Sequence, residues 1–426
     1  MTHANLAAWI DSQARHSATM LEQAISATSL VRRRAAFGQT VVPAKGSVLA
    51  SPEIADWDPE PDYFFHWVRD SALVMRTVAD LMADAADPAA RARWAGHFGD
   101  FVGFSLGLIR LDGAAVVRHG RHRAATKRGF RRFLRRDAEL ARVSGDKLRG
   151  EPRFNADGSL DVQRWSRPQY DGPALRALAV LHFLAAGGDR RTPGLEELLT
   201  GDLEFTLRHA DRVCIGPWEE AGERAHHYYV ATVQLGALRH GAAWIDDKRA
   251  LARADAGLRA GLDRHWSPAR QAYVAIRGGG RLDAVVLLAA VDSDMPGDRH
   301  SVRDPRLQAT LAALERLFAG LLRVNRGRVA PALGRSADDR YFGGGAWYPT
   351  TLAAAALCYE LAARDPAWLT RGDAYMATVR DLTPADGALS EQVDRATGAQ
   401  TSARHLTWSY AAFVDVARRR RRAVGG

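Results

Sequence analysis

The chain has 426 residues, of which 47% are hydrophobic, 25% charged and 8% aromatic, a composition that excludes a fibrous or disordered protein and allows a sizeable core. No apolar run approaches the roughly 20 residues of a membrane helix, and Asp11, Arg15 and His16 break up the first twenty residues, so neither a membrane span nor a signal-peptide core is expected and the expected location is the cytoplasm. The net charge of +10 raises the question of nucleic acid, but 13 Lys and Arg against 4 Asp and Glu fall within 118–153, so the sign is local.

Hydrophobic periodicity predicts about a dozen helices. In chain order they cover 6–21, 72–82, 94–109, 174–184, 195–207, 228–245, 250–262, 282–291, 307–324, 350–363, 368–382 and 405–417. Several are apolar around most of their circumference, as in Leu352-Ala-Ala-Ala-Ala-Leu-Cys-Tyr, and must pack on more than one side. One helical layer cannot supply that burial, whereas six helical hairpins closed into a toroid of two layers can. The expected fold is therefore all-α, with residues 1–426 forming a single domain. The basic stretch at about 118–149 reads as a solvated insertion. Its aromatics Phe130 and Phe133 are too few for a base-stacking platform, which argues against nucleic acid as a partner. The arginine run 418–422 reads as a frayed basic tail over 418–426.

The loops between the helices hold Trp, Tyr, Asp, Glu and Arg where Gly, Ser and Asn are usual. Examples are Pro61-Asp-Tyr-Phe-Phe-His-Trp-Val-Arg-Asp70, Trp165-Ser-Arg-Pro-Gln-Tyr-Asp171, Pro217-Trp-Glu-Glu220, Arg335 with Trp347, and Leu389-Ser-Glu-Gln392. Flat aromatic faces beside charged hydrogen-bonding groups suit a sugar, through its C–H surfaces and its hydroxyls. Other chemistries lack their residues. Cys214 and Cys358 have no CxxC partner, no HExxH or Walker pattern occurs, the histidines scatter, and no GxSxG turn offers a serine nucleophile. Neither a metal nor a cofactor is expected. Hydrolysis of a glycosidic bond needs one protonated and one ionised carboxyl. Glu219 and Glu220 follow an indole, Trp218, that could help keep one carboxyl protonated, and Glu391 lies between Ser390 and Gln392 in a polar setting that suits an ionised base. Taken alone, a glutamate pair ahead of a helix also fits a solvated first turn.

These motifs, together with Asn5-Leu-Ala-Ala-Trp-Ile, Val48-Leu-Ala-Ser-Pro, Gly150-Glu-Pro-Arg-Phe-Asn and Ser402-Ala-Arg-His-Leu-Thr-Trp408, occur in an order that resembles the glucoamylases of glycoside hydrolase family 15. The resemblance runs from about residue 5 to 417 and implies an (α/α)6 barrel. It also implies that Glu219 is the general acid and Glu391 the base that activates water, with inversion at the anomeric carbon; because such a pair needs one carboxyl protonated and one ionised, an acidic, bell-shaped pH profile is expected. Arg69, Asp70, Glu220 and Arg335 would bind sugar hydroxyls, Tyr63, Trp67, Trp165, Trp347 and Trp408 would line the site, and Ser402 would hydrogen-bond the base. The implied activity is exo-hydrolysis of α-1,4 and some α-1,6 glucosidic bonds, releasing β-D-glucose from an α-glucan or α-gluco-oligosaccharide. The alternatives are an isomaltose-type glucosidase preferring α-1,6 bonds and a trehalase-like inverting hydrolase. Two departures bear on the site: Gly216-Pro217 stands where the family commonly has Asp-Leu, and His405 stands where many fungal members have Asp. The oligomeric state is left open.

Overall fold

The computed structural model describes residues 3–55, 60–220, 222–295, 297 and 299–425. Among these residues the helices are α1 (His3–Ala24), α2 (Val68–Asp84), α3 (Pro88–Leu108), α4 (Gly113–His119), α5 (Arg121–Ala125), α6 (Asp137–Leu140), α7 (Asp146–Arg149), α8 (Asp171–Ala185), α9 (Leu195–Arg208), α10 (Tyr228–His240), α11 (Lys248–Asp263), α12 (Val285–Ser293), α13 (Pro305–Leu321), α14 (Tyr348–Ala362), α15 (Ala367–Leu382) and α16 (Thr407–Gly425). Each of the dozen sequence-predicted helices is present.

The helices sort into two rings. α2, α8, α10, α12, α14 and α16 pack side by side in that order, and α16 closes back onto α2. Outside them lie α1, α3, α9, α11, α13 and α15, each against an inner partner. The fold is the six-hairpin (α/α)6 barrel. Burial follows the sequence. Every residue of α12 is buried, as is every residue of α10 from Tyr228 to Leu238, whereas outer α11 buries only Leu258, Gly261 and Leu262. An all-round apolar helix therefore goes inside, and a helix with one stripe goes outside.

Three outer helices carry side-chain caps, while outer α9 and α15 do not. Outer α3, α11 and α13 begin on Asp87, Asp247 and Asp304, whose carboxylates accept from first-turn amides, with Pro88 and Pro305 fixing the first turns of α3 and α13. Inner α2, α8, α10, α12 and α14 begin without a side-chain cap. Their first amides are met by the loops that enter the inner ring: Val68 N donates to the Pro152 carbonyl, Tyr228 N to Ala275, Tyr348 N to Glu391 and Val285 N to Asp283 Oδ1. Those are the loops rich in aromatic and charged residues.

Two expectations about charge are corrected. Residues 418–422 are not a frayed tail but the last turns of α16. Arg418 pairs with Asp80 and Asp84, Arg419 with Asp415 and Glu360 at 2.7 Å each, and Arg420 with Asp373 at 2.7 Å. Apart from Asp415 on α16 itself, the acidic partners lie on α2, α14 and α15, so they were invisible in local sequence. The basic segment is likewise more than a solvated insertion. Its short helices α4 to α7 enclose Leu134, Leu140, Val143 and Leu148, which pack with Leu108 and Phe154 into a small core of their own. Among the described residues no helix is long and apolar enough to cross a membrane.

Candidate active site

Most of the site is carried by the segments that lead into the inner helices. The short strand Phe65–Trp67 pairs antiparallel with Arg153–Asn155, and α2 starts directly after it, four residues earlier than the periodicity predicted. Arg69 and Asp70 therefore sit in the first turn of α2 rather than in a loop. Trp165 and Gln169 precede α8. A hairpin of Cys214–Ile215 with Arg224–Ala225 holds Trp218, Glu219 and Glu220 ahead of α10. Trp347, Gln392–Val393 and Gln400–Thr401 build a three-stranded ribbon that fixes Glu391 and Ser402.

These segments surround a cavity of about 450 Å3 lined by Tyr63, Trp67, Arg69, Asp70, Trp165, Glu219, Glu220, Arg335, Trp347, Glu391 and Trp408. Eleven of the twelve sequence-predicted site residues thus meet in one place. The twelfth, Ser402, lies behind the wall and donates its hydroxyl to Glu391 Oε2.

Glu219 is held by four donors. Its Oε1 accepts from Trp67 Nε1 at 2.9 Å, Gln169 Nε2 at 2.9 Å and an Arg69 Nη at 3.3 Å, while Oε2 accepts from Trp165 Nε1. The indoles of Trp67 and Trp165 thus present N–H edges to this carboxyl, and Trp218, expected to shield it, turns its own Nε1 to Asp283 at 3.0 and 3.1 Å. Glu219 also adopts φ +60°, the left-handed region that costs a non-glycine residue about 1–3 kcal/mol and tends to cluster at functional sites. The Ser166 hydroxyl donates to its carbonyl at 2.6 Å, pinning that conformation. The Gly216 departure has a local cause: a Cβ there would stand 2.6 Å from the His227 ring, so no aspartate fits.

Glu391 has fewer donors, two against four. It is 5% exposed, and burial pushes its carboxyl up to about 7 against the Ser402 hydrogen bond and the charge of Arg335. A polar setting for this residue was expected, but the dominant influence is desolvation. Tyr63 donates to its Oε1 at 3.4 Å and shares a 2.7 Å hydroxyl contact with Tyr341. Burial, then the nearby Glu391, raise the Tyr63 phenol well above its ordinary value, so it remains a neutral donor. At the second departure, His405 Nδ1 meets the Tyr410 hydroxyl at 2.8 Å, and that hydroxyl accepts from the Leu389 amide at 3.1 Å, bracing the strand ahead of Glu391.

Asp70 lies beside Arg69 at 3.7 Å, and burial raises its carboxyl to about 6. Arg69 also pairs with Asp171 at 2.9 Å. Arg335 is clamped by Asp339 at 2.9 Å, and its guanidinium lies 5.0 to 5.4 Å from the rings of Trp347, Tyr341 and Trp218. Glu220 pairs with Arg281 at 3.1 Å, and Arg281 reaches Glu223 at 3.3 Å. Burial and a hydrogen bond with Glu220 raise Glu223 to about 7, while against burial that bond and Arg281 hold Glu220 low. Burial thus disfavours the charge on Glu223, while Arg281 and the hydrogen bond between the two favour it on Glu220.

Sequence reasoning missed Tyr341, Asp339, Asp283, Arg281 and Glu223, and gave Gln169 no role. The Ser-Ala-Asp-Asp-Arg-Tyr run between Arg335 and Trp347 was the available signal, being polar and aromatic like the other site loops. Among the described residues no cluster of three or more His, Cys, Asp or Glu could hold a metal.

The family model described as "Glycosyl hydrolases family 15" matches residues 29–97, 106–368 and 366–418. The chain belongs to that family. Family 15 relatives include Glucoamylase-1 of Schizophyllum commune, 27% identical over 89% of this chain and 70% of its own, and a probable glucoamylase of Schizosaccharomyces pombe, 27% identical over 89% and 86%. The fold is that of the solved Hormoconis resinae glucoamylase, with TM-score 0.77 and 23% identity over 97% of this chain and 73% of that one. The Saccharomycopsis fibuligera glucoamylase gives TM-score 0.75 and 21% identity over 98% and 96%. The chain is thus a glycoside hydrolase of glucoamylase type.

The buried Glu391 sets an expected pH response. A residue that must be ionised to act loses activity as pH falls through its pKa, so kcat/KM should drop below about pH 7 rather than below pH 4 to 5. A kcat/KM profile for maltose that stays flat from pH 7 down to pH 5 would show that Glu391 is not the limiting base.

Proposed function

We propose that this chain is an inverting exo-α-glucosidase that releases β-D-glucose from the non-reducing ends of α-1,4-linked gluco-oligosaccharides. The observation that carries this reading is the convergence of Glu219 and Glu391, from two separate loops, on one cavity with Arg69 and Asp70 beside them. The terminal glucose is gripped by Arg69 and Asp70, and Tyr63, Trp67 and Trp408 give its ring apolar faces. Glu219 delivers a proton to the glycosidic oxygen. It is positioned for this by donors on both carboxyl oxygens, which fix its plane before substrate arrives.

Glu391 takes a proton from the attacking water on the opposite side of the sugar. Ser402 on one oxygen and Tyr63 on the other orient its lone pairs. The proton that Glu219 gives away is regained by exchange with solvent, and the proton that Glu391 accepts is released to it, so the pair resets after each turnover. Glu220, kept anionic by Arg281 and Glu223, is an acceptor for hydroxyls of the departing sugar.

Linkage preference is tested by glucose release from maltose, isomaltose, trehalose and a maltodextrin. We expect maltose and maltodextrin to be turned over with the highest kcat/KM and isomaltose more slowly. Trehalose as the best substrate would overturn the exo-glucanase reading in favour of a trehalase-like one.

A further inference from the structure

A second cavity, of about 730 Å3, lies behind Trp165, whose indole lines both it and the 450 Å3 cavity. This volume is within the range of small-molecule sites. Its floor is a satisfied ion-pair network: Arg135, 3% exposed, donates to both oxygens of Glu151 at 3.0 Å, and Arg167 reaches Glu151 and Asp161.

The rim is different. Arg136, Arg142, Lys147 and Arg224 line it, and among the described residues none of the four has a carboxylate partner. The two acids beside them are occupied elsewhere, Glu139 by Arg135 at 3.0 Å and Asp146 by Arg208 at 2.9 Å. Four cations around a concave space, none of them in an ion pair among the described residues, repel one another, and a bound multivalent anion relieves that repulsion through charge-assisted hydrogen bonds. The partly exposed rings of Trp165 and Tyr170 on the same cavity suit the C–H face of a sugar.

We propose that this cavity binds a phosphorylated sugar, with the phosphate held by Arg136, Arg142, Lys147 and Arg224 and the ring set against Trp165 and Tyr170. A neutral glucan gives the cations nothing to pair with, and a bare inorganic ion has no use for the aromatic wall. The site is mechanically linked to the catalytic loop. Arg224 belongs to the hairpin that carries Glu219 and donates to the Arg167 carbonyl at 3.0 Å, while Trp165 and Ser166 bond Glu219 directly. An occupant therefore touches both segments that hold Glu219.

The test is calorimetric titration of the full chain at low salt with glucose 6-phosphate, glucose and inorganic phosphate. It is repeated on the combined variant Arg136→Gln, Arg142→Gln, Lys147→Gln, whose three positions are exposed and outside the 450 Å3 cavity. Glucose 6-phosphate is expected to bind more tightly than either glucose or phosphate. The variant should weaken it by at least about tenfold, with helical circular dichroism and maltose turnover unchanged. Two arms separate the sources of the ligand. A KM advantage for maltose phosphorylated on its reducing-end residue, lost in the variant, identifies the substrate's own end; glucose 6-phosphate binding that does not compete with maltose identifies a separate effector. Equal affinity in wild type and variant, or inorganic phosphate binding as tightly as glucose 6-phosphate, would overturn the proposal.

Discussion

Glu219→Gln is expected to lower kcat on maltose by about 10²–10⁴-fold, the usual worth of a general acid, with KM changed by no more than a few-fold. The amide has no proton to deliver to the glycosidic oxygen, yet it is nearly isosteric. Its oxygen can still accept from Trp67 and Gln169, as Glu219 Oε1 does at 2.9 Å from each. Its NH2 group must then face the Trp165 indole N–H, donor against donor, so a small shift of Trp165 is expected and should appear in tryptophan fluorescence. The diagnostic substrate is α-glucosyl fluoride, whose leaving group needs little protonation. The variant should keep most of its activity there while losing it on maltose. An equal loss on both substrates would remove Glu219 from the acid role.

Glu391→Gln is expected to lose activity on both substrates, again by about 10²–10⁴-fold, because water must be activated whatever the leaving group. Glu391→Ala should regain turnover of α-glucosyl fluoride when azide is added, since the missing side chain leaves room for an anion that needs no base. If instead Glu391→Gln is the variant that spares the fluoride, the two roles are exchanged. The same substitution makes a stability prediction with a definite sign. Burial raises Glu391 in the folded chain to about 7, above its ordinary 4.5. The favourable contribution of its protonated form is thus fully present below about pH 4.5 and lost as pH rises through about 7. Glutamine cannot ionise, so Tm of the variant relative to wild type should rise between pH 5 and pH 8. This would be stability gained at the expense of function.

The barrel was legible because each of its helices is long enough to show a 3.6-residue period, and because inner and outer helices differ in how much of their circumference is apolar. Leu352 to Tyr359 could only be inside; α11, with three buried residues, could only be outside. The segment holding α4 to α7 was not legible, since helices of four to seven residues are too short for periodicity and their charge masks Leu134, Leu140 and Leu148. In the site, residue identities came through and environments did not. Glu219 and Glu391 could be picked out from their motifs, but their relative burial depends on which distant loops close over them. Four donors reach Glu219 from the region of α2 and the loop before α8, and Tyr341 reaches Tyr63 across 278 residues of sequence. The same holds for Arg281, which reaches Glu220 across 61 residues of sequence and Glu223 across 58.

Proton NMR of maltose hydrolysis in its first minutes, before mutarotation equilibrates the product, reads the stereochemistry on which the roles of Glu219 and Glu391 depend. Direct displacement by a water that Glu391 activates, on the face opposite the bond that Glu219 protonates, must invert the anomeric carbon. The first anomeric signal is therefore expected to be that of β-glucose, with α-glucose growing in only at the mutarotation rate. Initial appearance of α-glucose would mean a covalent glucosyl-enzyme and a carboxylate acting as nucleophile, and would contradict the assignment of Glu391 as a base.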